Sequence, residues 1–184
     1  PGQHPSAHRP GQAAREHHVQ RRKPLACLAR EAPVEARTRT TTTGGGRIEQ
    51  DRFGAQSLEK PSLVRTDDWR WRLYVCPAVP APSKHWWIDV LEADDPSGFA
   101  DAEARTAFPG DDDTGVKDPL VRRTADGGWE AWICCHPLDV TDEEDRMTTA
   151  YATSRDGLSW EWHGTVLAPR PGSWDARGAR LTTV

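Results

Sequence analysis

Long apolar runs are missing from this chain of 184 residues. None approaches the roughly 20 apolar residues an α-helix needs to cross a bilayer, so no membrane partner is implied. A charged-then-apolar leader is missing as well, and with it any visible secretory signal. Cysteine is scarce: Cys27, Cys76, Cys134 and Cys135 do not make a disulfide framework in a chain of this length. With no signal visible, localisation is left open and the cytoplasm is slightly favoured. From residue 47 on there is no Gly-rich phosphate loop, so neither a nucleotide nor a redox cofactor is implied. Phenylalanine and tyrosine are few, three and two, yet there are nine tryptophans. Tryptophan joins a large apolar face to a polar N–H, which suits tight cores and sugar-stacking surfaces alike.

Mean hydropathy is -0.76 and the net charge is -4, but the charge is unevenly spread. Residues 1–46 hold eight Lys/Arg against three Glu, whereas the remainder holds 16 basic and 25 acidic residues. Such a split separates a tail from a domain. The first tract, rich in Pro, Gly, His, Arg and Thr, has neither helical nor strand periodicity and is expected to be a disordered leader. A basic nucleic-acid-binding arm is the alternative there, but the charges are scattered without aromatic partners, so no nucleic acid is expected. The domain is placed at residues 47–184.

Within that domain one phrase occurs twice, "EKPSLVRTDDWRWRLYVC" from residue 59 and "VKDPLVRRTADGGWEAWIC" from residue 116. Lys60, Leu63, Val64 and Arg65 align with Lys117, Leu120, Val121 and Arg122 at an offset of 57. After one inserted residue, Trp71, Tyr74 and Cys76 align with Trp129, Trp132 and Cys134 at 58; Ala93 aligns with Ala152 at 59. Each copy predicts a short strand, a turn and a period-two strand. Trp69, Trp71, Leu73 and Val75 share one face in the first copy, and Trp129, Ala131, Ile133 and Cys135 in the second. "HWWIDVLEA" and "MTTAYATS" follow as third strands and "WEWHGTVLA" as an outer strand, while its counterpart within "ADAEARTAF" is barely legible. Antiparallel strands repeated at nearly 60 residues are the pattern of β-propeller blades. A further blade is expected to open at "WDARGARLTTV". The expected fold is therefore all-β, an incomplete five-bladed propeller of about two blades and the first strand of a third.

In a propeller the first strands of all blades line one channel, and their entries converge on a funnel. Here the entries bring Glu59 and Lys60, then Asp118, then Asp175, Arg177 and Arg180 toward one rim. Two carboxylates facing one cavity are what glycoside hydrolysis requires, one as acid and one as base or nucleophile. Asp118 is expected as an exposed channel carboxylate, with capping of a local turn as the plainer alternative. Trp86 and Trp87 are candidates for stacking on sugar rings, or else for packing between blades. Cys134, Cys135 and His136 lack a second ligand pair at zinc spacing, and Cys76 and Cys134 are repeat equivalents, so small core residues are expected rather than a metal site. The runs Asp111–Asp113 and Asp142–Asp145 lack a calcium-loop pattern and are expected as solvated hairpin tips.

The pieces "EKPSLV", "KDPLV", "AYATSRDGLSWEWHG" and "PGSWDARGAR" resemble the five-bladed β-propeller glycoside hydrolases, the clan of arabinanases, xylosidases, invertases and levanases. The resemblance spans roughly residues 57–184. It implies that Glu59, in blade one, is the base or nucleophile, although Glu-Lys-Pro stands where the clan commonly shows Asp-Pro. It implies that Asp118, of the blade-two Asp-Pro pair, fixes the substrate and tunes the acid. The clan's acid is a blade-three Glu, and "WDARGARLTTV" contains none. The implied activity is hydrolysis of O-glycosidic bonds in a small saccharide or polysaccharide side chain, with Lys60, Trp86, Trp87, Asp175 and Arg177 contacting the sugar. The alternative is a non-catalytic carbohydrate-binding or interaction propeller. Oligomeric state is left open.

Overall fold

A computed structural model describes residues 46–79, 84–139 and 145–184. The expected disordered leader lies outside the described residues except for Gly46, and Cys27 lies outside with it. Among the described residues there is no α-helix, and none long and apolar enough to cross a membrane. Two antiparallel sheets account for the architecture. The first contains β1 (Ser57–Arg65), β2 (Trp71–Val79), β3 (His85–Trp86), β4 (Ile88–Ala93) and β5 (Arg105–Phe108), ordered β1-β2-β4-β5 with β3 on β2. The second is a meander of β6 (Thr114–Arg123), β7 (Trp129–Pro137), β8 (Thr148–Ser154) and β9 (Glu161–Leu167). Short 3₁₀ turns at Gln50–Phe53 and Pro96–Ala100 flank the first sheet.

The repeat is more regular than the sequence alignment suggests. Glu59 pairs with Cys76 and Leu63 with Leu73 in the first sheet; Lys117 pairs with Cys134 and Val121 with Ala131 in the second. The inner strand pairs thus superpose at a uniform offset of 58, and the expected inserted residue between them does not exist. Matching the like residues of "LVR" with "LVR" had shifted the first strand by one. The third strands differ further. Ala93 and Ser154 both face the start of the central strand, opposite Trp71 and Trp129, so Ala93 is not the mate of Ala152.

Three other expectations are corrected. Trp69 is not on the strand face: it sits in the β1–β2 turn at φ 67°, 70% exposed, with the Arg65 guanidinium 4.6 Å from its ring. The third strand of the first copy breaks at Trp87, between β3 and β4. The segment from Trp174 to Val184 forms no strand. Its Ala179 donates to Met147 O, and Thr149 Oγ1 both donates to Ala179 O and accepts from Leu181 N, so one side chain serves where a ladder was expected.

The main core lies between the sheets. Tyr74, Cys76, Ile88 and Val90 meet Trp129, Ala131, Ile133, Cys135, Ala150 and Ala152. Full burial of side chains such as Ile88 and Ile133 contributes about 1.5–3 kcal/mol each. The first sheet's other face, Leu73, Val75, Leu91 and Ala93, is closed by Phe99, Ile48 and Phe53 of the 3₁₀ turns and their flanks. Packing is head to tail. Trp71 and Leu73 are the repeat mates of Trp129 and Ala131, yet they lie on the face turned away from the second sheet. An interface that joins unlike faces of equivalent units can be repeated by the next unit, whereas one joining like faces closes on itself.

A polar lock joins the sheets. The turn after β8 is built by Asp156, whose carboxylate accepts from Leu158 and Ser159 N–H, and by Ser154 Oγ, which accepts from Asp156 and Gly157 N–H. Arg72 Nη1 donates to Asp156 O at 2.5 Å and Tyr74 OH to Gly157 O at 2.7 Å. Gly157 has φ 71°, and a Cβ there would stand 2.3 Å from Arg72 Nη1 and 2.7 Å from the Trp129 ring. Only glycine fits, on both counts.

Candidate functional site

The first strand of each sheet, β1 and β6, carries a bulge where a proline cannot donate to the ladder, a usual place for proline within a sheet. In β1 the register slips between Glu59 and Ser62, around Lys60 and Pro61; in β6 it slips between Lys117 and Leu120, around Asp118 and Pro119. With the offset at 58, Lys60 is the mate of Asp118 and Glu59 the mate of Lys117. The sequence alignment had paired Lys60 with Lys117. Charge is therefore inverted between the copies at both positions, which allows the two inner edges to attract each other.

Lys117 Nζ donates to Glu59 Oε2 at 2.7 Å, and farther along Val121 N donates to Ser62 Oγ at 3.3 Å. Burial by itself would raise the Glu59 carboxyl, but the Lys117 hydrogen bond and charge outweigh it, with smaller help from Trp86 and His136, and hold it below its ordinary 4.5. Glu59 is thus a carboxylate at neutral pH, the form a base or nucleophile requires. Trp86 Nε1 points to Glu59 Oε1 at 3.5 Å.

Asp118 is not an exposed channel carboxylate. It is 8% exposed, stands at φ 50°, and its Oδ2 accepts from Arg180 Nη1 at 2.7 Å. The left-handed backbone at Asp118 sits in the bulge, where Asp tolerates it better than most residues; the equivalent bulge at Lys60 does not share it. Cys76 lies beneath both bulges, its Sγ 3.7 Å from Lys60 O and close to the Asp118 backbone N–H. Burial pushes its thiol up to about 12, so it is a packed donor with no nucleophilic character.

The bulges open onto a cavity of about 380 Å³ lined by Lys60, Ser62, Asp118, Leu120, Leu181 and neighbouring prolines. Glu59 is outside this lining, so the expected pair of carboxylates on one wall becomes a carboxylate and an ammonium. From the segment near the C-terminus it is Arg180 that reaches the site. Asp175 accepts from Arg170 and Arg177 donates to Asp145.

Trp86 is built into the joint between the sheets. Its ring stacks on His136 with centroids 5.8 Å apart and has Lys117 Nζ at 5.7 Å. The space for it comes from Gly115, where a Cβ would stand 2.8 Å from the indole. Trp87 stacks on His85 at 5.4 Å and donates to Asp89 Oδ2 at 2.9 Å. His136 was missed as a neighbour of Glu59. The available signal was the period-two spacing of Cys134 and His136 opposite Lys117 and Gly115. His136 Nε2 lies 3.5 Å from Cys134 Sγ, and among the described residues no group of three or more His, Cys, Asp or Glu is placed to hold a metal ion.

No family model and no curated protein matches this sequence. Among solved structures it is similar to a glycosyl hydrolase from Bacteroides ovatus, at 17% identity and a TM-score of 0.46 over 65% of this chain and 33% of that one. It is also similar to an α-L-arabinofuranosidase from Lactobacillus brevis, at 20% identity and 0.45 over 60% of this chain and 36% of the other. A third is the catalytic domain of a GH62 α-L-arabinofuranosidase from Coprinopsis cinerea, at 17% and 0.42 over 63% and 33%. The chain spans about a third of the length of each. Likeness at this level assigns no activity to the present chain.

Proposed function

We propose that these residues form the carbohydrate-recognising part of a glycoside hydrolase-like five-bladed β-propeller, of which the two sheets are successive blades. The head-to-tail packing supports the propeller, because the same contact can be repeated by further sheets and, where the rotation closes, makes a ring. In this reading Asp118 and Lys60 hold sugar hydroxyls in the cavity between the bulges, and Glu59 supplies the ionised carboxylate that activates water or attacks the anomeric carbon. Arg180 orients Asp118, and Lys117 keeps Glu59 charged. No general acid is assigned within residues 46–184. The observation that carries the reading is the pair of X-Pro bulges on β1 and β6, with Lys60 and Asp118 both in the lining of one cavity and Glu59 preceding Lys60 in the chain.

A non-catalytic sugar-binding module is the second reading. It is favoured by the ion pairing of both carboxylates, which leaves each already partnered. The test is calorimetric titration of the full chain with neutral pentose and hexose oligosaccharides, alongside hydrolysis of aryl glycosides by wild type, Glu59→Gln and Asp118→Asn. Binding that Asp118→Asn weakens supports the site, and turnover that Glu59→Gln abolishes while sugar still binds supports the enzyme. Wild-type binding that Asp118→Asn leaves intact overturns both readings.

A further inference from the structure

We propose that the groove between the outer ends of β5 and β9 is a separate subsite for a neutral saccharide ring, with Trp162 as its platform. The groove follows from unequal strand lengths. β5 has four residues and β9 has seven. β5 stops because Pro109 has no N–H to extend the ladder, and Gly110 at φ 66° turns the chain toward β6, the turn closed by Asp111 N–H to Thr114 O at 3.0 Å. Beyond that point β9 overhangs. Trp162 and Thr165 pair with Ala152 and Ala150, both in the core between the sheets, so both side chains point to the side that β5 leaves uncovered.

The result is a cavity of about 380 Å³, within the range of about 300–1,000 Å³ typical of small-molecule sites. Its floor is Phe108, Val116 and Cys135. Trp162, 47% exposed and 6.0 Å from Phe108 between centroids, lines it together with Thr114, Thr148, Thr165 and Asp111, one of whose carboxylate oxygens accepts from Asp113 N–H at 3.0 Å.

This lining selects among ligand classes. No Lys, Arg or His is part of it, so phosphate, sulfate or carboxylate finds no charged partner. Quaternary ammonium ions are usually recognised by cages of several aromatic faces, and here Phe108 is buried, which leaves Trp162 as the one open ring of the lining. A sugar ring presents an apolar C–H face to stack on one indole and equatorial hydroxyls to donate to Asp111 and to exchange bonds with threonine. The groove shares no lining residue with the cavity between the bulges, and the two sites are tested apart.

The full chain is titrated with xylotriose, cellotriose and arabinotriose, reading tryptophan indole N–H resonances and heats of binding. Trp162→Ala and Thr165→Arg are compared with Asp118→Asn; the arginine blocks the mouth from an exposed position without emptying the core. The expected result is a saccharide that moves the Trp162 resonance and loses affinity by about tenfold or more in both groove variants, while Asp118→Asn leaves that event unchanged. Groove variants that bind as wild type overturn the proposal, whether or not Asp118 matters. Loss confined to Asp118→Asn removes the groove and keeps the inner site. Displacement of the Trp162 resonance by choline alone replaces the saccharide with a cation and overturns the assignment.

Discussion

Replacing Asp118 with asparagine keeps the side-chain shape, removes the charge and tests both the ion pair and the bulge. Asp118 Oδ2 accepts from Arg180 at 2.7 Å, with the two side chains 6% and 30% exposed. Hydrogen bonds to charged groups contribute about 1.5–3 kcal/mol, and the partial exposure of Arg180 reduces this to about 1–2 kcal/mol. For a domain of this size that lowers Tm by about 2–8 °C. Asparagine tolerates φ 50° as aspartate does, so it adds no backbone strain. Alanine does not: in the left-handed region it costs about 1–2 kcal/mol more, which glycine relieves. The expected stability order is therefore wild type, then Asp118→Asn, then Asp118→Gly, then Asp118→Ala. That order is unusual, because the variant that deletes the most atoms outlasts one that deletes fewer. Thermal melts of the four proteins, with an Asp118→Asn/Arg180→Leu double-mutant cycle, supply the measurement. A null coupling in the cycle, with Asp118→Asn melting like wild type, would refute the ion pair. Equal melts for the glycine and alanine variants would refute the strained bulge. Sugar affinity, followed in parallel, should fall by about one to two orders of magnitude in Asp118→Asn.

Glu59, held below 4.5, contributes stability that is present above its unfolded value and lost as pH falls through the folded one. The difference in unfolding free energy between wild type and Glu59→Gln should thus be full at pH 7 and vanish in acid; a pH-independent difference would show that the Lys117 pair is not formed. Burial pushes the thiols of Cys76 and Cys134 up to about 12 and that of Cys135 to about 11. Peptide mapping after iodoacetamide at pH 8 should find these three unmodified in the native protein and alkylated in urea, and native labelling at Cys76 would mean that the bulges are open. Gly157→Ala adds left-handed strain to a clash with Arg72 and Trp129 and should cost about 2–5 kcal/mol, against about 1–2 kcal/mol for Gly164→Ala, which meets open space at φ 85°. Similar melts for the two variants would remove the lock between the sheets.

Much of the fold is carried by local pattern. The period-two runs around Trp71 and Trp129, the turn chemistry of "TADGG" and the near-repeat at a little under 60 residues place the main strands and, Trp69 apart, fix which residues share a face. This is legible because side-chain alternation is a property of each strand alone. The register between copies is not local. Two "LVR" triplets invite alignment, but the ladder is set by backbone pairing across the bulges, and it moves Lys60 opposite Asp118 in the repeat and Glu59 opposite Lys117. The same holds for the site. Carboxylates at strand entries could be named from the sequence, whereas their partners could not: Lys117 reaches Glu59 from 58 positions away and Arg180 reaches Asp118 from 62. Nor does composition foretell that Trp86 is locked against His136 over a glycine while Trp162 is left half open, since both read as strand tryptophans. That difference is made by where β5 ends. Alternation assigns a side chain to a face of its own sheet, and only the packing of one sheet on the next decides whether that face is covered.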